Sequence, residues 1–282
     1  MAHAYVPRAF LVNADLSRSS WMSANMIGGD LRGTSLSGAH FEGAKLVSVN
    51  LSQAFSSTSS QNSSASSDQL KTAKTDAQFE RADLTGAVAT GMRIENAHFE
   101  GAVLASADLR GSDLQSATFN NSDLKGANLS KAWLDKAMFT DAVLIRSEFR
   151  YSQLDGASFK RANLYQANMA HVTLSNSDLS SANLAFAQLH DALLDDANLR
   201  NANFYGADLS GASIIGSDLS EATLDYAKLD GVVYSVGGPT PTKWKIPSSY
   251  HGKEVLTNAL EKGTRYTFVL VPVAKKGNAI RR

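Results

Sequence analysis

The sequence predicts an all-β chain wound into a square solenoid, and three observations carry that prediction. Every fifth residue from Phe79 to Tyr234 is apolar, through 32 consecutive repeats. Two places before each of these the chain has Ala or Ser in 29 of the 32 repeats, with Met92, Val172 and Val232 as the exceptions. Phe79, Phe99, Phe119, Phe139 and Phe159 recur at intervals of twenty residues.

A period of five fits neither an amphipathic helix nor a flat strand. It requires a chain that turns a corner every five residues and sends one large and one small side chain inward each time. The other three positions are mostly Asp, Asn, Ser, Thr, Gly, Lys and Arg, so they face water. Identical rings at intervals of four repeats imply four sides per coil and a stacked aromatic ladder inside one of them. Searching for such a period comes first, because a missed repeat mis-assigns the whole fold.

The pattern Ala-(Asp/Asn)-Leu-x-x, as in Ala107-Asp108-Leu109, Ala127-Asn128-Leu129, Ala182-Asn183-Leu184, Ala197-Asn198-Leu199 and Ala207-Asp208-Leu209, resembles the pentapeptide-repeat family. The resemblance covers most of residues 6–234 and implies a right-handed quadrilateral β-helix. It is specific for the fold and nearly silent on function.

The repeats begin at Leu11 and run through Leu16, Trp21, Met26, Leu31, Leu36, Phe41, Leu46 and Leu51, with Val6 as a candidate tenth centre. Gly29, Thr34 and Val49 replace the small residue, as in a terminal stretch that caps a solenoid. A Ser-rich segment at about 55–76 then breaks the frame. Residues 56–76 carry almost no large apolar groups and are expected to be a flexible loop. The aromatic ladder fixes the size of the interruption. Trp21 and Phe41 are twenty apart, whereas Phe41 and Phe79 are 38 apart, so an insertion of 18 residues in one coil would set Trp21, Phe41, Phe79 and Phe99 in one column. The hexapeptide Ala-His-Phe-Glu-Gly-Ala, at 39–44 and again at 97–102, then falls on one face. Residues 1–236 therefore read as one continuous solenoid with an extruded loop. Its 41 repeats make about ten coils. At ~4.8 Å per layer the rod is roughly 50 Å long, against ~34 Å for one turn of B-DNA.

Residues 237–282 read as a separate, small α/β cap. Gly237-Gly238-Pro239-Thr240-Pro241 is a linker. Residues 252–262 have Val255, Leu256, Ala259 and Leu260 on one helical face and Gly263 as a stop, which predicts a short helix. Residues 264–271 predict a strand ended by Pro272. An open β-helix end needs cover, so this tail caps the last coil or forms a homodimer interface. The alternative is a basic contact with nucleic acid or membrane through Lys275, Lys276, Arg281 and Arg282.

Charge is balanced, 27 basic against 27 acidic residues, but unevenly placed. Residues 1–234 are net −7, residues 235–282 are net +7, and residues 161–234 alone are net −6. There is no cysteine, hence no disulfide framework and no thiolate metal site. No secretory signal or membrane span is read, and a cytoplasmic location is the expectation.

No catalytic constellation emerges. The six histidines read as scattered surface residues, no histidine or metal-ligand cluster accompanies the carboxylate pair Asp195-Asp196, and no phosphate-binding, nucleophile-elbow or zinc-protease motif is present. The expectation is a protein without enzymatic activity, cofactor or metal. The outward Ile145, Tyr165, Phe186, Tyr205 and Tyr226 lie twenty or so apart and should form one stripe, a candidate contact surface. Outward aromatics also favour strand structure, so such a stripe can equally be structural.

Characterised members of the family bind DNA gyrase or topoisomerase IV as DNA mimics and protect against quinolones. The resemblance therefore implies a protein-binding scaffold with a topoisomerase as its first specific candidate. The alternative is an interaction or effector protein that engages another partner through the aromatic stripe and the basic tail. Direct nucleic-acid or membrane binding is not the expectation.

Overall fold

The computed structural model describes residues 1–56, 76–236, 244–245, 248–255 and 266–272. Residues 1–56 and 76–236 form a β-helical solenoid of four-sided coils. Each repeat contributes a small residue, a bridging residue and a large apolar centre in extended conformation, then two turn residues. Bridging residues pair in parallel with their counterparts one coil away, Tyr5 with Asn25, Gln78 with His98, Ser213 with Val233. Because each side of a coil is so short, the pairings are single bridges stacked in four columns.

The backbone accounting explains the five-residue unit. The centre and the second turn residue donate to carbonyls of the next coil, as Leu104 N–H does to Asp123 O at 2.7 Å and Ser106 N–H to Lys125 O at 2.9 Å. The bridging residue donates back to the previous coil, as Asp108 N–H does to Ala87 O at 2.8 Å. The small residue closes the corner by donating to the centre before it, as Ala107 N–H does to Leu104 O at 3.0 Å. The first turn residue is left, and the Asp or Asn of the repeat serves it. In 17 repeats the carboxylate or amide oxygen of the bridging residue accepts that N–H, as Asp123 Oδ1 does from Lys125 at 3.0 Å. The acid in Ala-Asp-Leu is thus an Asx bond that satisfies the last free donor of the unit.

Corners have a second requirement. The second turn residue sits in the left-handed region, with φ from +54° to +75°, as in a type II turn. Glycine holds 14 of these positions and 28 are taken by other residues, among them Tyr151, Phe186 and Tyr226.

Inside, the centres from Leu16 to Leu51 and from Phe79 to Leu219 are buried, as are the small residues between them apart from the half-buried Ser19. Serines at the small position donate to the carbonyl of the preceding centre, Ser122 to Phe119 O at 2.6 Å and Ser147 to Leu144 O at 2.7 Å, so Ser replaces Ala without an orphaned hydroxyl. Phe41, Phe79, Phe99, Phe119, Phe139 and Phe159 stack in one column at 4.8–5.2 Å with nearly parallel planes. Trp21 lies one coil before Phe41, its indole N–H bonded to Ser19 Oγ at 2.8 Å. From the opposite column Phe149 meets Phe139 and Phe159 edge-on at 5.9 Å.

The bridges show where the frame is interrupted. Pairing jumps from twenty residues to 38 at His40–Gln78, Lys45–Asp83, Asn50–Val88 and Phe55–Arg93, then returns to twenty. One coil therefore carries 18 extra residues between Ser56 and Asp76. The Ser-rich segment at 57–75 lies outside the described residues, as do the linker at 237–243 and Lys275, Lys276, Arg281 and Arg282.

Beyond the last coil, β1 (Val233–Val236), β2 (Tyr250–Val255) and β3 (Tyr266–Pro272) form an antiparallel sheet in the order β1-β3-β2. This corrects the helix expected at 252–262. Residues 250–255 are strand, paired residue for residue with β3 from Tyr250–Pro272 to Val255–Thr267, and 256–262 lie outside the described residues. Helix propensities differ by only tenths of a kcal/mol per residue, and pairing with a neighbouring strand overrides them. The sheet closes on the solenoid through Leu270 N–H to Val232 O at 2.9 Å and Gly231 N–H to Leu270 O at 3.0 Å. Tyr250 Oη accepts from Leu229 N–H at 3.2 Å. Trp244 packs on Tyr234 at 5.2 Å, and burial pushes the Tyr234 phenol above its ordinary pKa. Among the described residues no helix is long and apolar enough to cross a membrane.

Candidate functional site

The turn residues and the outward side chains of the bridging residues are what the core leaves free to vary, and the turns build the corners. Tyr165 and Tyr205 are first turn residues, Phe186 and Tyr226 second turn residues, of successive coils at one corner. The rings meet edge to face in an unbroken zigzag: Tyr165–Phe186 at 5.8 Å, Phe186–Tyr205 at 5.5 Å and Tyr205–Tyr226 at 5.1 Å. Tyr165 is half-buried, while Phe186, Tyr205 and Tyr226 are exposed, Tyr226 most at 80%. Ile145 begins the same corner one coil earlier and is half-buried, with Arg146 Nε bonded to Gln166 Oε1 at 2.8 Å beside it. The five residues expected to align are thus brought to one corner.

Two of these residues hold unfavourable backbone. Phe186 and Tyr226 have φ of +59° and +60°, and bulky side chains rarely occupy the left-handed region. Phe186 lies over Gly206 of the next coil so closely that a Cβ there would stand 2.7 Å from its ring.

Five residues further along the coil, the next corner carries a second ladder that the sequence reading passed over. Tyr151 and His171 stack at 4.8 Å with parallel planes, and His171 meets His190 edge-on at 5.2 Å. The Arg150 guanidinium lies 5.5 Å from the Tyr151 ring, and Asp191 is 3.6 Å from His171 Nδ1. These histidines are not scattered. The twenty-residue offset between Tyr151 and His171 is the signal in the sequence, obscured because the ladder mixes a phenol with imidazoles.

Electrostatics on the same faces are ordered by the repeat. Asn163, Asn183 and Asn203 form an amide ladder, each Nδ2 donating to the Oδ1 one coil earlier at 3.1 and 3.2 Å. Arg161 holds Asp141 with two bonds of 2.7 and 2.6 Å and keeps its carboxyl below the usual range. Burial pushes the Asp208 carboxyl up, but bonds from Ser210 and Lys228 outweigh it and leave the group below its ordinary value. Asp195 is a structural acceptor, bonded by Ser213 Oγ at 2.5 Å and Ile215 N–H at 3.0 Å.

Comparisons with known proteins agree with this architecture. The pentapeptide repeat region of the family matches residues 92–165 and 155–224, and the eight-copy pentapeptide repeat matches 23–53. HetL of the cyanobacterium Nostoc, a pentapeptide repeat protein involved in heterocyst differentiation regulation, is 25% identical over 80% of this chain and 89% of its own, with a TM-score of 0.35. QnrB1, a plasmid-mediated fluoroquinolone resistance protein, is 22% identical in a trypsin-treated form over 54% of this chain and 87% of its own, with a TM-score of 0.47. Its full-length form is 13% identical over 80% of this chain and 94% of its own, with a TM-score of 0.32. No curated protein matches the chain. With repeats matched across more than half its length and four-sided coils over residues 1–56 and 76–236, the chain belongs to the pentapeptide-repeat family.

Proposed function

We propose that the chain is a non-enzymatic protein-binding scaffold whose partner is a type II topoisomerase, DNA gyrase or topoisomerase IV, engaged by the rod as a DNA mimic in regulation or antibiotic resistance. The observation that carries the scaffold reading is the aromatic corner, in which Tyr165, Phe186, Tyr205 and Tyr226 form a continuous exposed ladder on a rigid rod. Aromatic rings presented at low entropic cost are what protein interfaces select. The topoisomerase reading is supported by the acidity of the same half of the rod, net −6 over residues 161–234. It is supported too by a length of roughly 50 Å, about one and a half turns of B-DNA at the ~4.8 Å layer spacing, and by family membership. The rod would act in the cytoplasm, with homodimerisation through the C-terminal sheet as a further element of the reading.

The test is gyrase supercoiling with and without a fluoroquinolone, titrating the full chain and a Tyr165→Ala, Tyr205→Ala variant. Inhibition or protection at micromolar concentration, weakened by the variant, is expected. A wild-type chain without effect on gyrase or topoisomerase IV overturns the topoisomerase reading. The second reading, a different protein partner held by the aromatic corner, would then be tested by whether the same variant abolishes that partner's binding.

A further inference from the structure

Glu42, Glu80 and Glu100 are the first turn residues after Phe41, Phe79 and Phe99, whose rings lie 5.2 and 5.0 Å apart. The fold therefore stacks three carboxylates in successive coils at one corner. Each carboxylate has one oxygen, Oε2, closed off from water and bonded to no donor. Buried polar atoms without partners are rare in folded proteins, and each one calls for an explanation.

The local donors are spent on the other oxygens. His40 Nδ1 lies 2.9 Å from Glu42 Oε1, Thr118 Oγ1 donates to Glu100 Oε1 at 2.6 Å, and His98 Nδ1 lies 3.4 Å from Glu100 Oε1. Arg81 lines the same cleft with Ser23 and Gly43, yet among the described residues it takes part in no ion pair. The corner thus gathers negative charge, and its inward oxygens await a cation.

We propose that Glu80, His98 and Glu100 bind a divalent transition-metal ion, Zn²⁺ by the chemistry of the donors. Each offers one ligand atom, and the three atoms lie within 4.8 Å of one another. An ion equidistant from three atoms at that limit is ~2.8 Å from each, so each must close by ~0.7 Å to reach the ~2.0–2.1 Å of zinc bonds to nitrogen and oxygen. All three side chains are partly exposed, Glu80 and Glu100 on turns and His98 on the outward side of a bridging position, so such a movement disturbs no core packing. One imidazole with two carboxylates favours zinc over the all-oxygen sets of calcium and magnesium, and a solvent molecule completes four-coordination. Asp76 Oδ2, 4.0 Å from His98 Nε2, is placed to orient the ring, as outer carboxylates do for histidine ligands. The repeated hexapeptide at 39–44 and 97–102 gains a meaning here. It sets a histidine and a glutamate on either side of a ladder phenylalanine; the copy at 97–102 supplies His98 and Glu100, and the coil between the two copies supplies Glu80.

The test is calorimetric titration of ZnCl₂ into the EDTA-treated full-length chain, with Glu80→Gln, His98→Gln and His171→Gln variants checked for fold by circular dichroism. One zinc per chain is expected. Affinity should fall by about tenfold or more in Glu80→Gln and His98→Gln, in the range seen for disturbed metal sites, and stay unchanged in His171→Gln. No heat up to about 1 mM zinc, affinity retained in both site variants, or loss on His171→Gln each overturns the proposal. If a site variant fails to fold, Co²⁺ absorption of the wild type decides. Intense bands of a four-coordinate ion support the site, and the weak bands of the aqueous ion refute it. None of these readouts involves a topoisomerase, so the outcome is independent of the partner reading.

Discussion

Gly111 and Gly206 occupy the same place in the repeat, with φ of +63° and +65°, yet differ in what an added methyl would meet. At Gly111 nothing lies within 4 Å; at Gly206 the Phe186 ring stands at 2.7 and 2.8 Å. Gly111→Ala therefore isolates the backbone. An L-residue in the left-handed region costs ~1–2 kcal/mol, offset by ~0.4–1 kcal/mol from the less flexible unfolded chain, for a net loss of about 1 kcal/mol. Gly206→Ala bears the same cost and must also push Phe186 aside. An off-rotamer ring costs ~0.5–1.5 kcal/mol, and loosened edge-to-face contacts with Tyr165 and Tyr205 cost ~0.5–1.5 kcal/mol more. The sum is about 2–4 kcal/mol. Urea unfolding followed by circular dichroism measures both, and a cycle with Phe186→Ala isolates the contact. In that background Gly206→Ala should cost what Gly111→Ala costs. Equal losses in the wild-type background, within the ~0.3–0.5 kcal/mol expected of independent sites, would refute the claim that the aromatic corner is a packed ladder.

Phe119 stacks at 4.8 Å on Phe99 and 4.9 Å on Phe139. Phe119→Ala should cost ~3–5 kcal/mol in urea unfolding, whereas Phe119→Leu should cost much less because Leu179, Leu199 and Leu219 already fill that column. Deleting residues 57–74 returns the 38-residue spacing of His40–Gln78 to twenty and makes Thr75-Asp76 an ordinary pair of turn residues. The shortened chain should keep its cooperative thermal transition and gain at most ~2.5 kcal/mol of loop-closure entropy, and a broadened or lost transition would contradict the single-solenoid register. The Asp108 carboxyl is held below its usual 3.8 by hydrogen bonds from Arg110. A depressed folded-state pKa contributes stability above the unfolded value that is lost as pH falls through the folded one. Arg110→Gln should therefore lower the melting temperature at pH 6 and make no difference near pH 2.

The coil is legible in the sequence because its core contacts repeat. A centre such as Leu109 packs against the same residue types as Leu129 or Leu189, so one period specifies every layer. The register across the inserted segment was legible for the same reason, since Phe41 and Phe79 must stack. The C-terminal sheet was not. Whether 250–255 is strand or helix depends on pairing with β3, a contact that leaves no periodic mark in the sequence. The meaning of Asp and Asn before each centre was hidden for a different reason. The pattern names the residue, but only the turn geometry reveals that its oxygen closes on the N–H two places later. Tyr151 and His171 mark the limit for the candidate surface, because a ladder mixing residue types has no single letter to follow.

This division of labour changes how the acidity of the rod should be weighed. Asp178, Asp208 and Asp218 each accept a turn N–H at 2.9–3.1 Å, so the fold recruits them whatever the surface does. Net charge therefore overstates how far the sequence has been shaped toward a DNA-like surface. The acids that the Asx bond does not require sit on the turns, such as Asp191, Glu221, Asp225 and Asp230. The same holds for the aromatic corner and for Glu42, Glu80 and Glu100. In a fold whose small residues and centres are committed to the core, the two turn residues of each repeat and the outward side chains of bridging residues such as His98, Trp133 and Leu193 are where selection for a partner or an ion can act. A comparison of related chains by these outward positions would therefore resolve function where comparison by the whole repeat resolves only the fold.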